Sequence, residues 1–234
     1  MSCFINKLKQ ASQSKPQPMG FRRGKSASRP RLLLVAEVKE GAAAGVVEGA
    51  DAVLLESIAK NPPVKVDLPM GVRLLGSKIG KMEGIDFVIF TTEMSVAAVK
   101  DEKVGKVMAV EASLEMGMLR ALEDLPIDAL FITGEGAQAL NWQYLMLCRR
   151  FSAVTGKPVL ASVSPDISQE ELQVLWDAGV DGVVAGKTTS SLKKLRSLID
   201  GLTLPAEHKR VKARGIVPSL REAATSAVED DEEE

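Results

Sequence analysis

Histidine is nearly missing from this chain: His208 is the only one in 234 residues. That excludes a multi-His metal centre. It also argues against a His-based triad, because the residue falls past the patterned part of the chain. Cysteine is almost as scarce. Cys3 and Cys148 give neither metal-ligand spacing nor a disulfide framework, which fits a reducing compartment. No apolar segment reaches about 18 residues and no signal-peptide core is present, so the chain reads as soluble and cytoplasmic, with no membrane partner. Acids are missing from residues 1–31, which hold eight Lys/Arg. Aromatics to stack bases are limited there to Phe4 and Phe21, so the segment reads as a solubilising or self-pairing arm rather than a nucleic-acid binder.

With 45% hydrophobic residues the chain can bury one sizeable core. The charge is laid out in blocks: the basic, Ser/Pro/Gln-rich start is matched by an end reading "EDDEEE". Such segments bury too little apolar area to offset their ordering entropy. The expected organisation is a disordered basic arm over 1–30, a folded domain over 31–203 and a disordered charged tail over 204–234.

A short motif recurs four times in the middle: "GADAVLLES" at Gly49, "GIDFVIFTT" at Gly84, "PIDALFITG" at Pro126 and "GVDGVVAGK" at Gly179. Each joins a turn residue to an Asp and then to a buried apolar run, the pattern of a helix end leading into a strand. Four further runs alternate with these, starting at Leu32, Val72, Lys106 and Pro158. Helical spacing fills most gaps, including a capping box from Ser168 to Glu171 and a stop at Gly179. Eight strand–helix cycles predict an α/β fold, a compact (βα)8 TIM barrel, below the usual ~250 residues. The rival open sheet lacks a G-x-G-x-x-G after the first strand. The second and third helices should be short or missing, since "IAKNPPVKVDLPMG" carries three prolines and "IGKMEG" is brief. A second copy of the chain could cover that thinned flank.

Function in such barrels sits at the C-terminal strand ends, where inward side chains come in layers of four from alternate strands. Aligning odd strands by their apolar runs groups Glu37, Lys78, Glu111 and Ser162. Aligning even strands by Asp51, Asp86, Asp128 and Asp181 groups Glu56, Thr91, Thr133 and Gly186. Everything beneath both layers is expected to be apolar. The four Asp fall at the opposite face and read as structural. Glu37, Lys78 and Glu111 should pair with one another or line a cavity, because isolated buried charges are costly. As a site they suit acid–base or Schiff-base chemistry; as a structural plug they would do nothing chemical. Glu40, Glu93 and Glu135 ring the rim. No cofactor is required by this pattern, with Mg²⁺ on the acid-rich rim as one alternative. After the eighth strand, Gly186, Lys187 and Thr188 open a helix in the manner of a phosphate site.

These residues resemble the ribulose-phosphate-binding barrels and, within them, indole-3-glycerol-phosphate synthase. The first strand carries Ala36-Glu37-Val38-Lys39, as that family's Ala-Glu-x-Lys. Lys78 stands where the family has its acid lysine, Glu111 follows the fifth strand's "VE" pattern, and Gly186 with Lys187 resembles its phosphate loop. The resemblance implies catalysis by Glu37, Lys78 and Glu111; Lys39 is a candidate to place the substrate, and the aligned layers add Glu56, Thr91, Thr133 and Ser162 as candidates to line it. The chain departs from the family at "EGAAAG" after strand one, at Thr133 and Glu135 on strand six, and at "SVSPDIS" on strand seven. The expectation is therefore a lyase or isomerase acting on a small phosphorylated metabolite. The alternatives are a non-catalytic barrel working by interaction and an FMN-binding barrel, since flavin barrels use the same late-loop phosphate site.

Overall fold

The computed structural model describes residues 2–12, 32–38, 47–56, 67–74, 84–99, 101–111, 114–133, 140–186 and 189–203. Eight strands, β1 (Leu33–Val38), β2 (Ala52–Leu55), β3 (Met70–Leu74), β4 (Phe87–Thr91), β5 (Gly105–Val110), β6 (Ala129–Ile132), β7 (Val159–Val163) and β8 (Gly182–Gly186), pair in chain order and close into a barrel. Every neighbouring pair is parallel, including β1 with β8. The near-continuous apolar runs follow from this, because a parallel strand is buried on both faces.

The two halves of the barrel are dressed differently. Helices α2 (Met116–Asp124), α3 (Trp142–Thr155), α4 (Gln169–Asp177) and α5 (Thr189–Asp200) follow β5 to β8. Among the described residues no α-helix follows β1 to β4; after β4 there is one 3-10 turn at Val96–Val99. The second and third helices expected to be clipped fall on 57–66 and 75–83, outside the described residues. Where helices are seen, their ends obey the local signals. Glu171 N donates to Ser168 Oγ at 3.2 Å and Ser168 N to Glu171 Oε2 at 2.8 Å, completing the capping box. Gly179 takes φ +95° and donates to Trp176 O while Val180 donates to Leu175 O, the paired bonds of a left-handed helix stop.

Strand alternation sorts the buried residues into two cores. One lies between strands and helices and includes Leu34, Val53, Leu130 and Val183 with Leu119, Phe151, Leu172 and Leu195. The other fills the barrel: Val35 and Val107, Leu54 and Ile89, Phe131, Leu160 and Val184. In a tilted eight-strand barrel each height is offset from the pairing register by about one residue per strand. The strand registers then stack Val35, Gly71, Val107 and Leu160 beneath Leu54, Ile89, Phe131 and Val184.

The floor explains the recurring Asp. Asp51 donates its N–H to Leu34 O and accepts Leu34 N on Oδ2 at 2.9 Å, clasping one residue of the preceding strand twice. Asp128 does the same to Lys106, and Asp181 to Val159. Asp86 breaks the pattern. Its N–H still meets Met70 O, but its carboxylate accepts Ser2 Oγ, Cys3 N and Phe4 N at 2.7–2.9 Å. Those groups open helix α1 (Cys3–Ser12), so Asp86 caps a helix that enters the barrel from below. Phe4 stacks on Phe87 with centroids 4.4 Å apart, and Ile5 lies so near Gly105 that a Cβ there would collide with it. Lys9 reaches Asp128 at 2.7 Å.

The basic arm expected to be disordered is thus a helix over its first part. The composition of 1–31 averages a short apolar face, Phe4, Ile5 and Leu8, with the charges that follow it. Burying each such side chain contributes about 1.5–3 kcal/mol, and all three are at most 3% exposed. The rest of the arm and the tail over 204–234 lie outside the described residues.

Candidate active site

Among the described residues one cation stands inside the barrel. Arg73, the fourth residue of β3, places Nη2 2.7 Å from Glu37 Oε1 on β1, and its guanidinium carbon lies 5.3 Å from the centroid of Phe131 on β6. Neither β1 nor β6 adjoins β3, so the side chain must cross the lumen. The pair is partly shielded, with side chains 27% and 23% exposed for Arg73 and Glu37. Arg73 Nε is buried without a hydrogen-bond partner. Guanidinium faces stack well on aromatic rings, which leaves the in-plane N–H groups for anions.

Register places the expected residues. Gly186 pairs with Glu37, and the same one-residue offset puts Glu37, Arg73, Ala109 and Ser162 at one height. Glu56, Thr91, Thr133 and Gly186 form the layer above, as expected. Thr91 and Thr133 are exposed, Glu56 and Gly186 half-buried. Glu111 does not share Glu37's layer: it stands past the end of β5, exposed, two residues beyond Ala109. Aligning by apolar runs set it too low because β5 continues apolar for longer than β1. Glu37 was expected to pair with Lys78 or Glu111 or to line a cavity; among the described residues its ion-pair partner is Arg73. Lys78, Lys39, Lys187 and Thr188 lie outside the described residues, as do the rim acids Glu40 and Glu135.

The charged member that β3 contributes to the Glu37 layer, Arg73, is absent from the expected set. The signal was present: "MGVRL" holds one charge inside a strand otherwise fit for burial. Such a residue survives only if its charge is answered within the barrel. Counting alternation from Gly71 would have turned it inward.

The buried groups behind the strand ends tie the scaffold together rather than react. Tyr144 on α3 has its hydroxyl 3.0 Å from both Ile132 O and Ser162 O, so its one proton is shared across the ends of β6 and β7. Burial, with Cys148 nearby as the lesser cause, raises its pKa well above the phenol range. Burial pushes the Cys148 thiol up to about 12, which removes it as a nucleophile. Among the described residues no three His, Cys, Asp or Glu side chains gather as a metal site. No described helix is long and apolar enough to cross a membrane.

No protein-family model matches the chain, and no curated protein sequence does. Solved structures do match in shape. A 3-keto-L-gulonate-6-phosphate decarboxylase from Vibrio cholerae superposes with a TM-score of 0.57 at 13% identity, over 75% of this chain and 100% of that one. A chain of the tryptophan synthase complex from Pyrococcus furiosus gives 0.53 at 13%, over 74% and 99%. A thiamine phosphate pyrophosphorylase from Pyrococcus furiosus gives 0.51 at 15%, over 73% and 96%. The chain shares with these proteins the closed, eight-stranded parallel (βα)8 barrel fold. At these identities the likeness speaks for the fold alone, and the site must be argued from its own residues.

Proposed function

We propose that this barrel is a cytosolic enzyme of the lyase or isomerase kind, acting by acid–base chemistry on a small phosphorylated metabolite at the C-terminal mouth. The observation that carries the reading is the Glu37–Arg73 pair, a carboxylate and a cation inside the lumen just beneath the strand ends. As a plug the pair is a poor choice, since well-packed apolar side chains usually hold such a position at least as firmly. Glu37 is the proton acceptor in this proposal and Arg73 the electrostatic anchor. Lys78 and Glu111 remain proposed acid–base partners, Lys39 a substrate contact, and Gly186, Lys187 and Thr188 the phosphate grip. Gly186 borders Glu37, with an added Cβ only 3.8 Å from its Oε2. Two of the structural neighbours carry a phosphorylated small molecule in their names, which supports the substrate class.

The test is the unfolding midpoint with inorganic phosphate and a panel of phosphosugars. A ligand at ~100 times its dissociation constant stabilises by about 2.7 kcal/mol, or roughly 5–10 °C for a domain of this size. A shift lost in Lys187→Ala supports the phosphate grip; no shift with any phosphosugar contradicts the reading.

A second reading has its own observation. Trp142 and Met146, four apart on α3, are 79% and 64% exposed, and Met118 on the neighbouring α2 is 61% exposed. An apolar patch of this kind suits a barrel that works by interaction.

A further inference from the structure

We infer that Arg73 is a receptor for a carboxylate on the substrate, and that Glu37 holds its place until that carboxylate arrives. The inference rests on reading the mouth as a ligand site, and it narrows the ligand to a short molecule bearing phosphate at one end and carboxylate at the other.

The geometry of the pair carries it. Glu37 meets one donor, Nη2, at 2.7 Å, while Nε, the other donor on that edge of a guanidinium, is buried without a partner. Arginine's fork fits two oxygens of a planar anion side by side, and the two-point contact is stronger than the single one. Glu37 therefore fills half of a site that a better-placed carboxylate fills completely. Phe131, 1% exposed, lies against the guanidinium and favours presentation of its edge. The neighbours at this height are small, Ala109 and Ser162, with Gly186 above. Gly186 is also the register partner of Glu37, which puts the proposed phosphate end on β8 and the carboxylate end on β3, across β1 and β2. On exchange, Glu37 leaves Arg73 and becomes free to accept a proton from the bound molecule. No covalent step is required.

The experiment compares 3-phosphoglycerate with glycerol 3-phosphate, probes that differ in the carboxylate, by calorimetry on the full chain, with malonate as a carboxylate lacking phosphate. Wild type should prefer 3-phosphoglycerate by about tenfold or more, since a charge-assisted two-point contact exceeds the ~1.4 kcal/mol that tenfold represents. Arg73→Met should bring that ratio near one. Arg73→Lys, which keeps the charge without the fork, should fall between them, and it serves if the Met variant does not fold. Glu37→Gln should raise the ratio, because the competing carboxylate loses its charge. A structural role for the pair would not produce that rise. A wild-type ratio near one overturns the inference, as does a ratio that Arg73→Met leaves intact. If neither phosphate probe binds but malonate does, and Arg73→Met abolishes it, the phosphate reading fails and the carboxylate receptor stands. If malonate fails as well, both fall.

Discussion

The two ends of the barrel handle polar groups in opposite ways. At the floor, three Asp residues each clasp one residue of the preceding strand through both backbone groups, and the fourth gives its carboxylate to the first turn of α1. Phe4, Ile5 and Leu8 then close the opening. At the mouth a carboxylate and a guanidinium meet through one contact, with Nε left over. Complete pairing is what a stabilising surface needs. A half-filled fork under open strand ends is what a binding surface needs.

The largest effect that could break this comparison belongs to the floor. Phe4→Ala should cost about 3–5 kcal/mol, the range for a buried aromatic truncated in a core, read from the urea midpoint. Asp86→Ala should cost about 1–2 kcal/mol, the value of a lost helix cap, and should free α1 to proteolysis. An Asp86→Ala protein as resistant as wild type would mean that the helix is not held there by its cap.

At the mouth the sign should reverse. Replacing both charges together, Glu37→Leu with Arg73→Met, should leave stability unchanged or raise it by about 1 kcal/mol or more, as for other shielded pairs exchanged for apolar groups. Either single change should be worse than the double one, because it leaves a charge unanswered.

The fold was legible because its signals are local and repeated. A turn residue, an Asp and an apolar run mark each even strand, and the Ser168–Glu171 box marks α4. The site was legible only in part. The layer of Glu56, Thr91, Thr133 and Gly186 follows from counting along strands whose starts the Asp fixes, and Glu37 from the abrupt end of the first apolar run. The odd strands carry no such marker, so Glu111 was set two residues too low and Arg73 was passed over for Lys78. Helix α1 was missed for another reason: three apolar residues count for little until a barrel floor offers them a partner.

The smallest predicted effect lies behind the mouth. Cys148 has an ordinary pKa of 9.0, pushed up to about 12 in the folded chain by burial. Between those values the unfolded chain loses the proton and the folded one keeps it. Its stabilising contribution is therefore complete below pH 9.0 and falls as pH rises toward about 12. Tyr144 shifts in the same direction, whereas burial lowers the pKa of Lys157. The Lys157 shift is shared by wild type and Cys148→Ala. The Tyr144 shift loses only its lesser, Cys148-dependent part, a change that works in the same direction as loss of the thiol. The alkaline loss of stability should be shallower in the variant, and equal slopes would remove the thiol from the account.

The most direct test of the contrast between the ends is the unfolding midpoint of wild type and of Glu37→Leu/Arg73→Met, each with and without 3-phosphoglycerate. The account predicts a ligand shift of roughly 5–10 °C in wild type and a clearly smaller one in the double variant, whose ligand-free midpoint is no lower. An equal shift in both proteins, or no shift in wild type together with a double variant that melts lower, would contradict it.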